Sequence, residues 1–260
     1  METIAFLVGV VAVLFSLHGL ALLVYRVPLR WTFGTRSSEP RSLRIVLKII
    51  LQATLIGSIL LFPYLRRSTP GAYYGARLSW HRAPEFLYGA AIGLAGFGVV
   101  FATGLALGGI RWKVRYPAGK ALARSSRSAL SSLTVVAVEE PLFRGIVLDS
   151  LLDAAPVWAA IALSAVLFSA AHFIRKTRTY WPAVGLAVLA VWLGIAYYKT
   201  QGLWLPMGLH SGGILAIGVH RCFVEYRGHE LLVGTQTYPI AGLDGIALMV
   251  VGAVATWSLL

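Results

Sequence analysis

Glu139 and Glu140 stand side by side in the run VEEPLFRG, followed by Pro141 and Arg144, within a stretch that is otherwise apolar. Two histidines come later, His172 in FSAAHF and His210 in GLHSGG. An ionisable group inside a bilayer is costly, so each of these residues needs a structural or a functional reason. Glu140 and Arg144 are four residues apart, acid before base, and share one helix face as a neutralised, orienting pair. Adjacent helical residues point about 100° apart, so Glu139 projects elsewhere and has no sequence-local counter-charge. A desolvated, unpaired carboxylate takes up a proton more readily than a solvated one, which suits a general base. Pro141 removes a backbone donor, which predicts a bend with room for water.

Counted at 1.5 Å per residue from one face of a bilayer, Glu139, His172 and His210 fall at depths of roughly 2 to 16 Å. One carboxylate and two imidazoles at shared depth can activate water, orient it and donate to a developing oxyanion, which hydrolyses an amide. The same three residues form a His/His/Glu set of the kind that holds zinc. The spacing leaves both readings open, beside a purely structural one of packing ion pairs and interhelical hydrogen bonds. There is no HExxH, and no plausible Ser or Cys nucleophile beside a base. His18 is alone in its apolar run and reads as a hydrogen-bonded structural imidazole. Asp149 and Asp153 are expected to be solvated at the outer end of their helix.

The elements that must position these residues are apolar throughout. The 260 residues are 58% hydrophobic and 13% charged, about half the charge density of a soluble domain. Apolar runs fall at about 4–25, 45–63, 86–110, 131–151, 156–173, 181–198, 203–220 and 239–258. All eight are read as helices, because no other open structure satisfies its backbone hydrogen bonds in lipid. The expectation is an all-α, polytopic membrane protein of about eight transmembrane helices forming one domain over 1–260. Within it, N-terminal spans cover 1–130, a motif-bearing core 131–221, and a last span 239–258. The first run is too long for a signal-peptide core and lacks a basic stretch before it.

The net charge of +13 does not point to nucleic acid, because the basic residues sit in short loops without interleaved aromatics. Sixteen Lys and Arg lie in the loops 26–44, 111–130, 174–180 and 221–238, against five in the alternate loops. That asymmetry places both termini outside and the richer loops in the cytoplasm of a cell membrane. The loop 64–85, with four arginines, reads as an interfacial stretch. The one cysteine, Cys222, excludes an intramolecular disulfide.

The motifs resemble those of the CPBP family of intramembrane proteases, which includes the CAAX prenyl endopeptidases of the Rce-one type and the Abi-like bacteriocin-processing and immunity proteins. EExxxR is present as Glu139, Glu140 and Arg144, and FxxxH as Phe168 and His172. HxxxN is partial, with His210 followed at the fourth position by Ile214. The resemblance spans about residues 130–220. It implies a conical core of four helices carrying the site, with Glu139 activating water and His172 assisting. Glu140 and Arg144 would be the orienting pair, and His210 would serve the oxyanion. Phe168 and Ser211 would support substrate or oxyanion, with Ser211 or His220 replacing the missing asparagine donor. The implied activity is cleavage of a membrane-associated peptide or protein near the cytoplasmic face, without a cofactor, zinc being the open variant. An inactive scaffold or immunity protein that keeps the fold is the alternative.

Overall fold

The computed structural model describes residues 2–29, 39–173, 181–236 and 238–260. The long rods are α1 (Glu2–Val24), α2 (Arg41–Leu65), α4 (Pro84–Ala106), α5 (Ala118–Glu140), α7 (Val157–Phe173), α8 (Trp181–Thr200), α9 (Trp204–His220) and α11 (Leu243–Leu259). Short helices α3 (Pro70–Gly75), α6 (Asp149–Leu152) and α10 (Glu230–Val233) lie between them. The chain is an all-α polytopic membrane protein. Side chains that point away from the core are large and apolar, among them Val8, Val24, Ile49, Leu87 and Val251. In water such a surface would drive aggregation, whereas lipid tails solvate it.

Among the described residues, α1, α2, α4 and α8 are long and apolar enough to cross a membrane. The apolar helices α7 and α11 are shorter, and α5 carries Lys120, Arg124 and Arg127 in its first half. The number of full crossings therefore stays an expectation.

Three features depart from the sequence reading. The loop expected over 111–130 is helical from Ala118 onward, because the stretch alternates small residues with long basic ones, has no proline after Pro117, and keeps its one glycine, Gly119, in the first turn. Two short strands, β1 (Ile110–Trp112) and β2 (Val224–Tyr226), pair antiparallel with Arg111 opposite Glu225. The Arg111 guanidinium donates to the Glu225 carboxylate at 2.7 Å. Finally, the segment 64–85 does not lie on a surface throughout, since Arg77 turns inward to Asp149. Of the basic loops, 174–180 and residues 30–38 lie outside the described residues.

Pro141 has no N–H to give to the preceding turn. The backbone answers with a π-helix over Pro141–Leu148 between α5 and α6, every residue of it buried. The expected bend is thus a widened helix; such π segments recur at functional sites. Beside it, α4 and α9 approach at backbone distance. A Cβ built on Gly89 or Gly93 would lie 2.5 Å from the carbonyl oxygen of Leu205 or Leu209, and Gly208 and Gly212 press equally on Phe86 and Ala90. His210 sits between these two glycines of α9, so its position depends on that contact.

Gly93→Leu puts a side chain where only backbone fits. We expect destabilisation of at least 1–3 kcal/mol, read as a lowered melting midpoint in detergent. The equivalent change at Gly98, around which a Cβ meets nothing within 4 Å, should leave the midpoint unmoved.

Candidate active site

Five of the sequence-predicted residues converge where α5 and the π-helix meet α7 and α9. Glu140 and Arg144 are 0% and 1% exposed and pair at 3.2 Å. The same Glu140 oxygen accepts from His210 Nδ1 at 2.7 Å. Arg144 also donates to the Ala190 carbonyl of α8 at 3.3 Å, and its guanidinium stacks 4.7 Å from the Phe168 ring centre. One carboxylate therefore fixes a cation from its own helix and an imidazole from α9.

Glu139 points the other way, as the 100° step requires. Its Oε2 lies 3.7 Å from His172 Nε2 and 3.9 Å from His210 Nε2. Each imidazole is held through its other nitrogen: His172 Nδ1 by the Phe168 carbonyl at 2.9 Å, His210 Nδ1 by Glu140. A backbone carbonyl and a carboxylate only accept, so Nδ1 carries the proton in both rings and, in the neutral form, Nε2 presents a lone pair. Two lone pairs and a carboxylate oxygen thus face one another just beyond direct hydrogen-bonding distance.

Phe168 is fully buried and supports the rings from beneath. It lies 4.5 Å from the His172 ring, 6.0 Å from His210 and 5.0 Å from Phe143, centre to centre. Ser211 is turned from Glu139 toward Ser132, with their hydroxyls 3.0 Å apart. His220 is engaged by the Ile217 carbonyl and the Tyr226 hydroxyl. Neither lines the cleft above Glu139, whereas Ile214 does.

That cleft has a volume of about 490 Å3 and includes Glu139, His172 and His210 in its wall, with Ser128, Ser131 and Tyr238 nearby. A second, apolar cleft of about 260 Å3 runs between α1, α2, the π-helix and α7, lined by Leu14, Leu55, Phe143 and Val147. The two meet at Glu139 and His172. Among the described residues, no set of three or more His, Cys, Asp or Glu is arranged to hold a metal ion.

Residues 125–213 match the family model described as type II CAAX prenyl endopeptidase Rce1-like. Over this segment the chain is similar to Rce1-like domains. The segment contains every residue of the cluster, from Glu139 to His210. No curated protein and no solved structure gives a significant match. The family so described is one of CAAX-type endopeptidases, and it is those proteins that residues 125–213 resemble.

Sequence reasoning missed the polar network at the far end of the π-helix. Asp149 is not solvated. It accepts two bonds from Arg77 at 2.8 Å, one from Tyr197 at 2.8 Å and one from Tyr73 at 3.0 Å. The Tyr73 hydroxyl also lies 2.7 Å from the carbonyl of Gly145, one residue after Arg144. The signal was four arginines in a segment flanked by apolar helices, with nothing to say which one turns inward. Asp153, by contrast, pairs with Arg66 at the exposed surface.

Asp149→Ala leaves the half-buried Arg77 guanidinium without its counter-ion. The expected cost is about 3 kcal/mol, against about 1 kcal/mol for Tyr73→Phe, which removes single hydrogen bonds. Thermal unfolding in detergent orders the two variants.

Proposed function

We propose that this Rce1-like protein hydrolyses a peptide bond at the membrane boundary through water activated by Glu139. The observation that carries the reading is the meeting of Glu139 Oε2 with both imidazole Nε2 atoms at 3.7 and 3.9 Å. A water between Glu139 Oε2 and His172 Nε2 bonds to both at normal length, since polar groups more than 3.5 Å apart are commonly bridged this way. It gives a proton to Glu139 as its oxygen attacks the scissile carbonyl. His172, its ring held by the Phe168 carbonyl, accepts a hydrogen bond from the second water hydrogen, which stays on the attacking oxygen, and so sets the direction of attack. The proton on Glu139 then passes to the leaving amine nitrogen, so the site returns to its starting state.

His210 serves the oxyanion. With Glu140 as its counter-ion at Nδ1, the ring acts as an imidazolium whose Nε2–H donates a hydrogen bond to the tetrahedral oxygen. Arg144 balances Glu140 and keeps that carboxylate in place. The cationic ends of α5 and α9 support placing this cleft on the cytoplasmic side of a cell membrane, with both chain termini outside. No cofactor takes part in this scheme.

Ile214 favours a second reading, in which the fold persists without turnover. Its side chain lines the cleft one turn from His210 and offers no hydrogen to an oxyanion. On that reading, glutamate substitutions leave the cellular phenotype intact while helix-face substitutions abolish it.

Glu139→Gln should abolish cleavage of a membrane-tethered reporter peptide while moving the melting midpoint little. Glu140→Gln should cost about 3–5 kcal/mol of stability as well, because it strips a fully buried arginine of its partner. His210→Ala is expected to lower kcat by about 10²–10³-fold. Cleavage by the Glu139→Gln protein at the wild-type rate would refute the mechanism.

A further inference from the structure

The wall of the larger cleft contains three arginines, Arg124, Arg127 and Arg221, and Glu139 as its one acidic residue among those described. Arg124, Ser128, Ser131, Val135 and Glu139 recur at three- or four-residue intervals, which places them on one face of α5. That stripe runs about 22 Å from Arg124 to Glu139 and about 18 Å from Arg127, at 1.5 Å per residue. Arg221 closes the same end from the tip of α9, held by the Gln236 carbonyl at 2.8 Å. Burial pushes the Arg221 guanidinium below its ordinary value, and Arg124 adds to that push from across the cleft. Arg124 stacks on Tyr116, its guanidinium 4.6 Å from the ring centre, and both Arg124 and Arg127 are exposed. Like charges gathered at one end of a groove are relieved by an anion.

We propose that this end of the cleft is an acidic-peptide subsite. Arg124, Arg127 and Arg221 would take a side-chain carboxylate of an extended substrate, roughly five to seven residues from the bond at Glu139 at about 3.3 Å per residue. The proposal rests on the protease reading only for the position of the scissile bond. A peptide fits better than an anionic lipid surface, because the arginines share a groove with Glu139. The hydroxyls of Ser128 and Ser131 between them offer partners to peptide amides.

The test uses fluorescein-labelled peptides of roughly ten residues carrying a Glu-Glu pair at one end, with Gln-Gln and Lys-Lys counterparts. Anisotropy is measured on the full chain in neutral detergent, in the Glu139→Gln form so that nothing is consumed. The Glu peptide should bind on the order of tenfold tighter than the Gln peptide, with the Lys peptide weakest. The double charge reversal Arg124→Glu with Arg127→Glu should invert that order, and the milder Arg124→Gln with Arg127→Gln should level it.

Equal affinities for the three peptides, or an order untouched by charge reversal, overturn the proposal. So does a reversal that changes only adhesion to phosphatidylglycerol vesicles, which would make the arginines a lipid contact. In the wild-type protein, moving the Glu pair along the peptide should move the cut with it. Cleavage indifferent to the pair overturns the subsite and spares the protease. Acid-selective binding without cleavage of any peptide does the reverse.

Discussion

Glu140 is the charge on which the site depends. It is fully buried, and a single oxygen of it engages Arg144 on its own helix and His210 on another. A lone carboxylate in that position would face a desolvation penalty of several kcal/mol. With Arg144 one turn away the pair is neutral, and the arginine spreads its remaining bonds over α8 and the Phe168 ring. The consequence is geometric as much as energetic. Because His210 must satisfy Glu140 through Nδ1, its Nε2 is directed at Glu139. The adjacent glutamates thus divide the work: the buried one orients, and the one facing the cleft is free to react.

The π-helix makes this division compatible with packing. An α-helix continued through Pro141 would meet a missing donor and a ring clash. The wider turn absorbs both, and it is clamped at each end: at Glu140 by Arg144 and His210, and at Gly145 and Asp149 by Tyr73, Tyr197 and Arg77. Apart from Arg144, the clamp residues come from the segment before α4, from α8 and from α9, so elements remote in sequence fix the register of this helix. Close glycine packing of α4 on α9 does the same for His210, since backbone against backbone leaves little freedom to slide.

How much of this could be read beforehand follows from the range of the interactions. The helical class and the positions of most rods were legible, because lipid demands long apolar stretches and these interrupt one another cleanly. The convergence of Glu139, Glu140, Arg144, His172 and His210 was legible too, since each is an ionisable residue in an apolar run at a compatible depth. The start of α5 was not, because Lys120, Arg124 and Arg127 look the same in a loop and in a helix that extends beyond the bilayer. Asp149 was misjudged for a different reason. Its partner Arg77 is 72 residues away, and nothing local distinguishes an aspartate that meets water from one that meets an arginine. Ser211 adjoins His210 in sequence, but the same 100° step that separates the two glutamates turns it toward Ser132. The three-residue strands are too short to announce themselves, and their pairing is held by a charge pair 114 residues apart.

The two clefts that meet at Glu139 and His172 constrain how any substrate can lie. A peptide backbone carries a donor and an acceptor at nearly every residue, and an apolar wall satisfies neither. The smaller cleft, between α1, α2, the π-helix and α7, is therefore suited to a side chain or hydrocarbon group and hostile to main chain. The larger cleft carries hydroxyls, imidazoles and guanidinium groups among its apolar residues, so on the proposed reading a peptide backbone is better satisfied there. A helical substrate keeps its scissile carbonyl engaged by the amide four residues on, which opposes attack. Under the proposed reaction, local unwinding of one or two turns is the cost of presenting that carbonyl to Glu139, and polar partners along the α5 face of the cleft offset part of it. Extended binding along that face is thus the arrangement in which the carbonyl is free, the amides are satisfied and the apolar cleft receives only what lipid would also accept.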